Sequence, residues 1–167
     1  LADELLAESG HSKEELIELF GDTRDQWIRR DLQDWLSRHR FYPGVIDRFR
    51  EAMEHQEVFI LTTKQERFAD ALLRDQGVCL PGDRVFGLDS GQPKEETLGE
   101  LLDRPGLAGM PCHFVEDRVK TLQRVAECQP LQRLQLYLAL WGYTTEGDLQ
   151  AGRRHPQPES DGSGRSA

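Results

Sequence analysis

The chain has 167 residues with 37% hydrophobic content, enough for one core of ordinary size with room for a small appendage. Thirty acidic residues against 21 basic ones give a net charge of −9, the wrong sign for binding a phosphate backbone or an anionic membrane, so neither nucleic acid nor membrane is expected as a partner. The longest apolar runs, 58–61 and 136–141, fall far short of the roughly 20 residues that a bilayer requires.

The chain opens with helices. Ser12-Lys-Glu-Glu15 has the form of a capping box, and Leu16, Leu19 and Phe20 follow on one helix face. Gly21 is expected to end that helix. A second box, Thr23-Arg-Asp-Gln26, is expected to open another, with Ile28, Leu32, Trp35, Leu36 and His39 recurring at three and four residues. The two form a helical hairpin over residues 1–41. Phe41-Tyr-Pro-Gly44 interrupts the pattern, because Pro43 disfavours helix at Tyr42. A boundary is placed there.

Beyond it the period alternates. Val45, Ile46, Phe49 and Met53 read as a helix, Val58-Phe-Ile-Leu61 as a strand, and Phe68, Ala69, Leu72 and Leu73 as a helix ending near Gly77. Arg84-Val-Phe-Gly-Leu88 is a second strand, followed by a helix over 95–102. Cys112-His-Phe-Val115 is a third, followed by a helix carrying Val119, Leu122 and Val125, and 134–141 reads as a last strand. Short apolar strands alternating with amphipathic helices predict an α/β fold with a parallel sheet covered on both faces, over residues 42–149. From about residue 150 Gly, Pro, Ser, Arg and Glu dominate, and 150–167 is expected to be a disordered tail.

Ligands of open parallel sheets bind beyond the carboxyl ends of the strands. There the chain places Thr62-Thr63-Lys64 after the first run, Lys94 at the start of a helix after the second, and Glu116-Asp117-Arg118 after the third. A hydroxyl, an ammonium and two carboxylates suit a phosphoryl group held with a divalent ion. Each also has a plain structural explanation. Thr62 can be a helix cap, Lys94 a solvated charge, and Glu116-Asp117 first-turn acids favoured by a helix dipole. Cys79, Cys112 and Cys128 are odd in number and too far apart for a clip, and no signal peptide precedes them, so a reducing, cytoplasmic setting is expected.

The succession Tyr42-Pro-Gly44, Phe59-Ile-Leu-Thr-Thr-Lys64, Gly91-Gln-Pro-Lys94 and His113-Phe-Val-Glu-Asp117 resembles the haloacid dehalogenase superfamily of hydrolases, over residues 41–147. The preceding hairpin resembles the second part of that family's helical cap. The resemblance implies a Rossmann-like core and a magnesium-dependent phosphatase of a small phosphorylated molecule. Thr62 and Lys94 would be catalytic, Thr62, Thr63 and Lys94 would bind substrate, and Asp117 and Glu116 would hold Mg2+. A response-regulator receiver also carries a Thr and a Lys after strands, but its acidic cluster comes early, whereas here it comes last.

One element of the pattern is missing. The family's nucleophile is the first Asp of an Asp-x-Asp motif after a strand ahead of the cap, and no Asp-x-Asp occurs in the first forty residues. The sequence is therefore expected to enter the family partway through the cap, without the central strand, and to lack hydrolase activity and high stability alone. The alternative is a non-catalytic relative that binds a phosphorylated ligand or a partner. An interaction module built on the hairpin ranks behind both.

Overall fold

A computed structural model describes residues 10–145 and 147. The expected tail lies outside the described residues. Among the described residues six helices and four short strands form a mixed α/β structure, and these strands make two separate parallel pairs. None of the described helices is long and apolar enough to cross a membrane. The chain divides into two compact units, Leu1–Gly91 and Gln92–Ala167.

The first unit begins with α1 (Lys13–Arg30). Its capping box forms as read, the Ser12 hydroxyl accepting from the Glu15 N–H (3.1 Å) and the Glu15 carboxylate from the Ser12 N–H (2.7 Å). The expected break at Gly21 does not occur. Gly21 lies buried within an unbroken helix, and Thr23 turns its hydroxyl back to the Leu19 carbonyl (2.7 Å) instead of capping a new one. The glycine serves packing: a Cβ there would come within 3.0 Å of the Gln65 amide and 3.1 Å of the Arg67 guanidinium. The break comes ten residues later at Asp31, whose carboxylate caps α2 (Leu32–Ser37) at the Asp34 N–H.

Gly44, at φ 77°, then turns the chain into α3 (Val45–His55). A positive φ of this kind is one that a side chain would strain. Next come β1 (Ile60–Leu61), α4 (Glu66–Asp75) and β2 (Val85–Phe86). β1 and β2 are parallel, Ile60 opposite Val85 and Leu61 opposite Phe86. The apolar face of α4 divides its contacts between two clusters. Ala69 and Leu73 join Val78, Leu80 and Val85, with α3 packed against them, while Phe68 and Leu72 join Trp35 and Leu36 of α2. Each such side chain stabilises by about 1.5–3 kcal/mol when fully buried.

The second unit holds α5 (Lys94–Leu102), β3 (Cys112–Glu116), α6 (Val119–Glu127) and β4 (Leu134–Leu138). β3 and β4 pair in parallel over five residues, from Cys112 opposite Leu134 to Glu116 opposite Leu138. The last strand is shorter than expected: the Ala139 N–H extends the ladder to the Glu116 carbonyl (2.9 Å), and the chain then turns, the Gly142 N–H closing on the Ala139 carbonyl (3.2 Å). Phe114, Glu116 and Leu134 are buried with Val119 and Val125 of α6. Alternate residues face outward: Val115 is 56% exposed and Tyr137 45%, and the Tyr137 hydroxyl lies 3.1 Å from His113 Nδ1. The expectation of a sheet covered on both faces therefore fails for this pair. Apolar runs in a five-residue strand do not reveal which face has a partner.

Candidate functional site

The residue after β1 is Thr62. Its N–H is fixed by the Phe86 carbonyl of β2 (2.8 Å), which continues the parallel ladder one residue beyond the strand. Its Oγ1 accepts from the Lys64 N–H (3.1 Å). The hydroxyl is thus committed as an acceptor on one side, and its hydrogen stays available to donate. It is a local turn bond, not a helix cap, since α4 starts at Glu66 without a side-chain cap.

The loop that Thr62 opens is pinned closely to β2. Lys64 accepts at its carbonyl from the Leu88 N–H (2.8 Å), and Glu66 receives the Gly87 N–H at its carboxylate (2.6 Å). Asp89 returns the contact by accepting from the Glu66 N–H (3.1 Å). Contact with the Glu66 side chain holds the Asp89 carboxyl below the usual aspartate range, against the effect of burial. Gly87 makes this approach possible. A Cβ there would lie 2.3 Å from the Lys64 carbonyl oxygen and 2.9 Å from the Glu66 nitrogen, distances that no side chain survives. Arg67 ties the loop to the hairpin through a bidentate contact to Asp25 (2.8 Å from Nη2), and this hydrogen bond holds the Asp25 carboxyl low.

In the second unit the structure brings Lys94, Glu116 and Asp117 together. Lys94 is the first residue of α5, where the positive end of the helix dipole disfavours a cation. It is held there by an ion pair with Glu116, whose side chain is only 5% exposed against 22% for the lysine. The second Glu116 oxygen accepts from the Arg118 N–H (3.1 Å), so both oxygens are engaged. Direct metal coordination by Glu116 would require exchanging one of these contacts.

Asp117 is the first residue beyond β3. Its Oδ2 accepts from the Tyr143 N–H (2.9 Å) in the turn that follows β4. Burial pushes this carboxyl up, but the Tyr143 N–H, contact with Glu116 and the Lys94 ammonium together bring it below the ordinary aspartate value. Gly142 lies flat against it: a Cβ at 142 would sit 2.3 Å from the aspartate Cβ. Trp141-Gly-Tyr143 is therefore the clamp that orients Asp117. Arg118 lends its backbone rather than its guanidinium to the acidic pair. A neighbouring pair, Glu95 with Arg124 (2.6 Å), fastens α5 to α6; burial raises the Glu95 carboxyl, and Arg124, the Glu95 backbone N–H and the Lys94 ammonium together bring it below the ordinary value.

Among the described residues no three His, Cys, Asp or Glu side chains gather for a metal. Magnesium asks for less, since one or two carboxylates suffice beside water and phosphate oxygens. Asp117, anchored and ionised, meets that requirement. No family model, curated protein or solved structure matches the chain.

Proposed function

We propose that the chain belongs to a haloacid dehalogenase-like hydrolase, a magnesium-dependent phosphatase of a small phosphate ester, whose nucleophilic aspartate lies outside residues 1–167. The observation that supports this most is positional. Thr62 directly follows parallel strand β1, Lys94 opens helix α5, and Asp117 directly follows parallel strand β3, in the order of the resemblance.

Each group then has a chemical task. The Thr62 hydroxyl, its oxygen already accepting from Lys64, donates its hydrogen to a phosphoryl oxygen. Lys94 has three ammonium hydrogens, and after Glu116 takes one the others neutralise charge on the nucleophile and the phosphate. Thr63, exposed beside Thr62, adds a second hydroxyl. Asp117 would hold the magnesium, with Glu116 reaching it through water, and the ion would stabilise negative charge on the transferring group. The external carboxylate attacks phosphorus in line, the ester P–O bond breaks, the alcohol leaves with a proton from solvent or an acid, and water then hydrolyses the acyl phosphate. The sequence of residues 1–167 contains no Asp-x-Asp motif, so by this reading it does not turn over alone.

A non-catalytic binding protein is the second reading, favoured by the fact that Glu116 by itself accounts for the buried placement of Lys94. The coding sequence upstream of Leu1 separates the two. An Asp-x-Asp motif within about fifty residues, and magnesium-dependent release of phosphate by the extended chain that Lys94→Ala abolishes, supports the hydrolase. A start codon near Leu1, or an extended chain that carries the motif yet releases no phosphate, overturns it. Turnover by residues 1–167 above the Lys94→Ala background overturns the claim of an external nucleophile.

A further inference from the structure

Within the first unit a cavity of about 320 Å³ lies between the helical hairpin and the loop after β1, at the small end of the range for ligand pockets. Its charge runs against that of the chain. Acids outnumber bases 30 to 21 overall, yet the wall carries two bases, Arg24 and Lys64, and no acid.

Neither cation is paired with a carboxylate among the contacts of the described residues. The Arg24 guanidinium makes only a long bond to the Phe20 carbonyl (3.4 Å) and stands 5.8 Å from the ring centres of Phe20 and Phe68. Lys64 is exposed, and its backbone N–H is held by the Thr62 hydroxyl oxygen. Beside the polar Thr63, Gln65 and His39, the rest of the wall is apolar and largely aromatic. Trp35 and Phe68 are buried with their rings 5.9 Å apart, while Phe20 and Leu88 leave 56% and 37% of their surface in water. His39 lies against Trp35 with its ring tilted by 49° and its Nδ1 3.0 Å from the Trp35 carbonyl, to which that nitrogen can only donate.

We infer that this cavity binds a small organic anion in which a phosphate-like group is carried on a flat, apolar ring. The ring lies against Phe20 and Leu88, covering surface that is now wet, and the dianion is met by Arg24 and Lys64 from opposite elements, α1 and the loop after β1. An isolated phosphate lacks the apolar half of the match, and a neutral ring lacks the charged half. A dianionic head suits two cations better than a single carboxylate does. The inference concerns binding within the first unit and does not rest on the phosphatase reading.

Phenylphosphonate, which has no ester bond to hydrolyse, tests binding apart from turnover. Titrated calorimetrically and by tryptophan fluorescence into the 167-residue chain, it should bind saturably. Methylphosphonate and benzyl alcohol should each bind at least about tenfold more weakly, as loss of one charge-assisted or apolar contribution of about 1.4 kcal/mol predicts. Arg24→Gln and Lys64→Gln should each weaken phenylphosphonate about tenfold with an unchanged circular dichroism spectrum, and Lys120→Gln, in the other unit, should leave it unchanged. Absence of saturable binding at 10 mM (roughly −2.7 kcal/mol), equal binding of methylphosphonate, or an indifferent response to both substitutions overturns the inference. None of these bears on whether an external aspartate makes the protein a hydrolase.

Discussion

Replacing Lys94 by methionine separates a lysine kept for chemistry from one that the fold itself needs. The ammonium is the partner of a carboxylate that is 5% exposed, and once it is gone Glu116 keeps the Arg118 N–H and its contact with Asp117 but no cation. Removing one member of a buried pair costs about 3–5 kcal/mol, because the remaining charge is left without compensation. Lys94 is 22% exposed, so water reaches its end of the pair and the lower figure applies. Relieving a cation at the start of α5 returns about 0.5 kcal/mol. The expected net loss is about 2.5 kcal/mol, and it should largely vanish in Lys94→Met/Glu116→Gln, where no orphaned charge is left. Urea unfolding followed by circular dichroism, with hydrogen exchange of the β3 amides as a local probe, measures both variants. A single variant within about 0.5 kcal/mol of the parent, or a double variant no more stable than the single one, would refute the reasoning.

Two further outcomes follow from the first unit. Gly87→Ala should cost at least about 2 kcal/mol, since its Cβ meets backbone rather than a movable side chain at 2.3 Å, and a melt unchanged from the parent would contradict the contact. Asp25 titrates lower in the folded chain than its ordinary value of 3.8, so the stability from its bond to Arg67 is present above that value and is lost as pH falls through the lower folded one. Urea midpoints should accordingly fall more steeply below pH 4 (about the ordinary aspartate value) in the parent than in Asp25→Asn. Parallel pH profiles would count against the Arg67 contact.

The features legible in the sequence were those with a local signature. The Ser12–Glu15 capping box, the turn at Gly44 and the alternation that yields two β-α-β runs all depend on residues a few positions apart. Gly21 misled because a glycine inside a helix and one ending it look alike in isolation, and the difference lies in Gln65 and Arg67, more than forty residues away. The same limit applies at the candidate site. Strand-end positions for Thr62 and Asp117 could be read from hydrophobic runs, whereas the pairing of Lys94 with Glu116 spans 22 residues and depends on how α5 packs beside β3. The cationic wall of the cavity escaped notice for the same reason, Arg24 and Lys64 belonging to segments with nothing in common along the chain.

The contact between Gly142 and Asp117 also constrains how this protein can diverge. A lineage that keeps the aspartate cannot accept any side chain at 142 without displacing it, whereas one that has abandoned the acid is released to place alanine or serine there. Substitutions at the two positions should therefore appear together or not at all as descendants separate. An ancestral or synthetic library in which they vary independently would show that the turn after β4 had ceased to grip the acid.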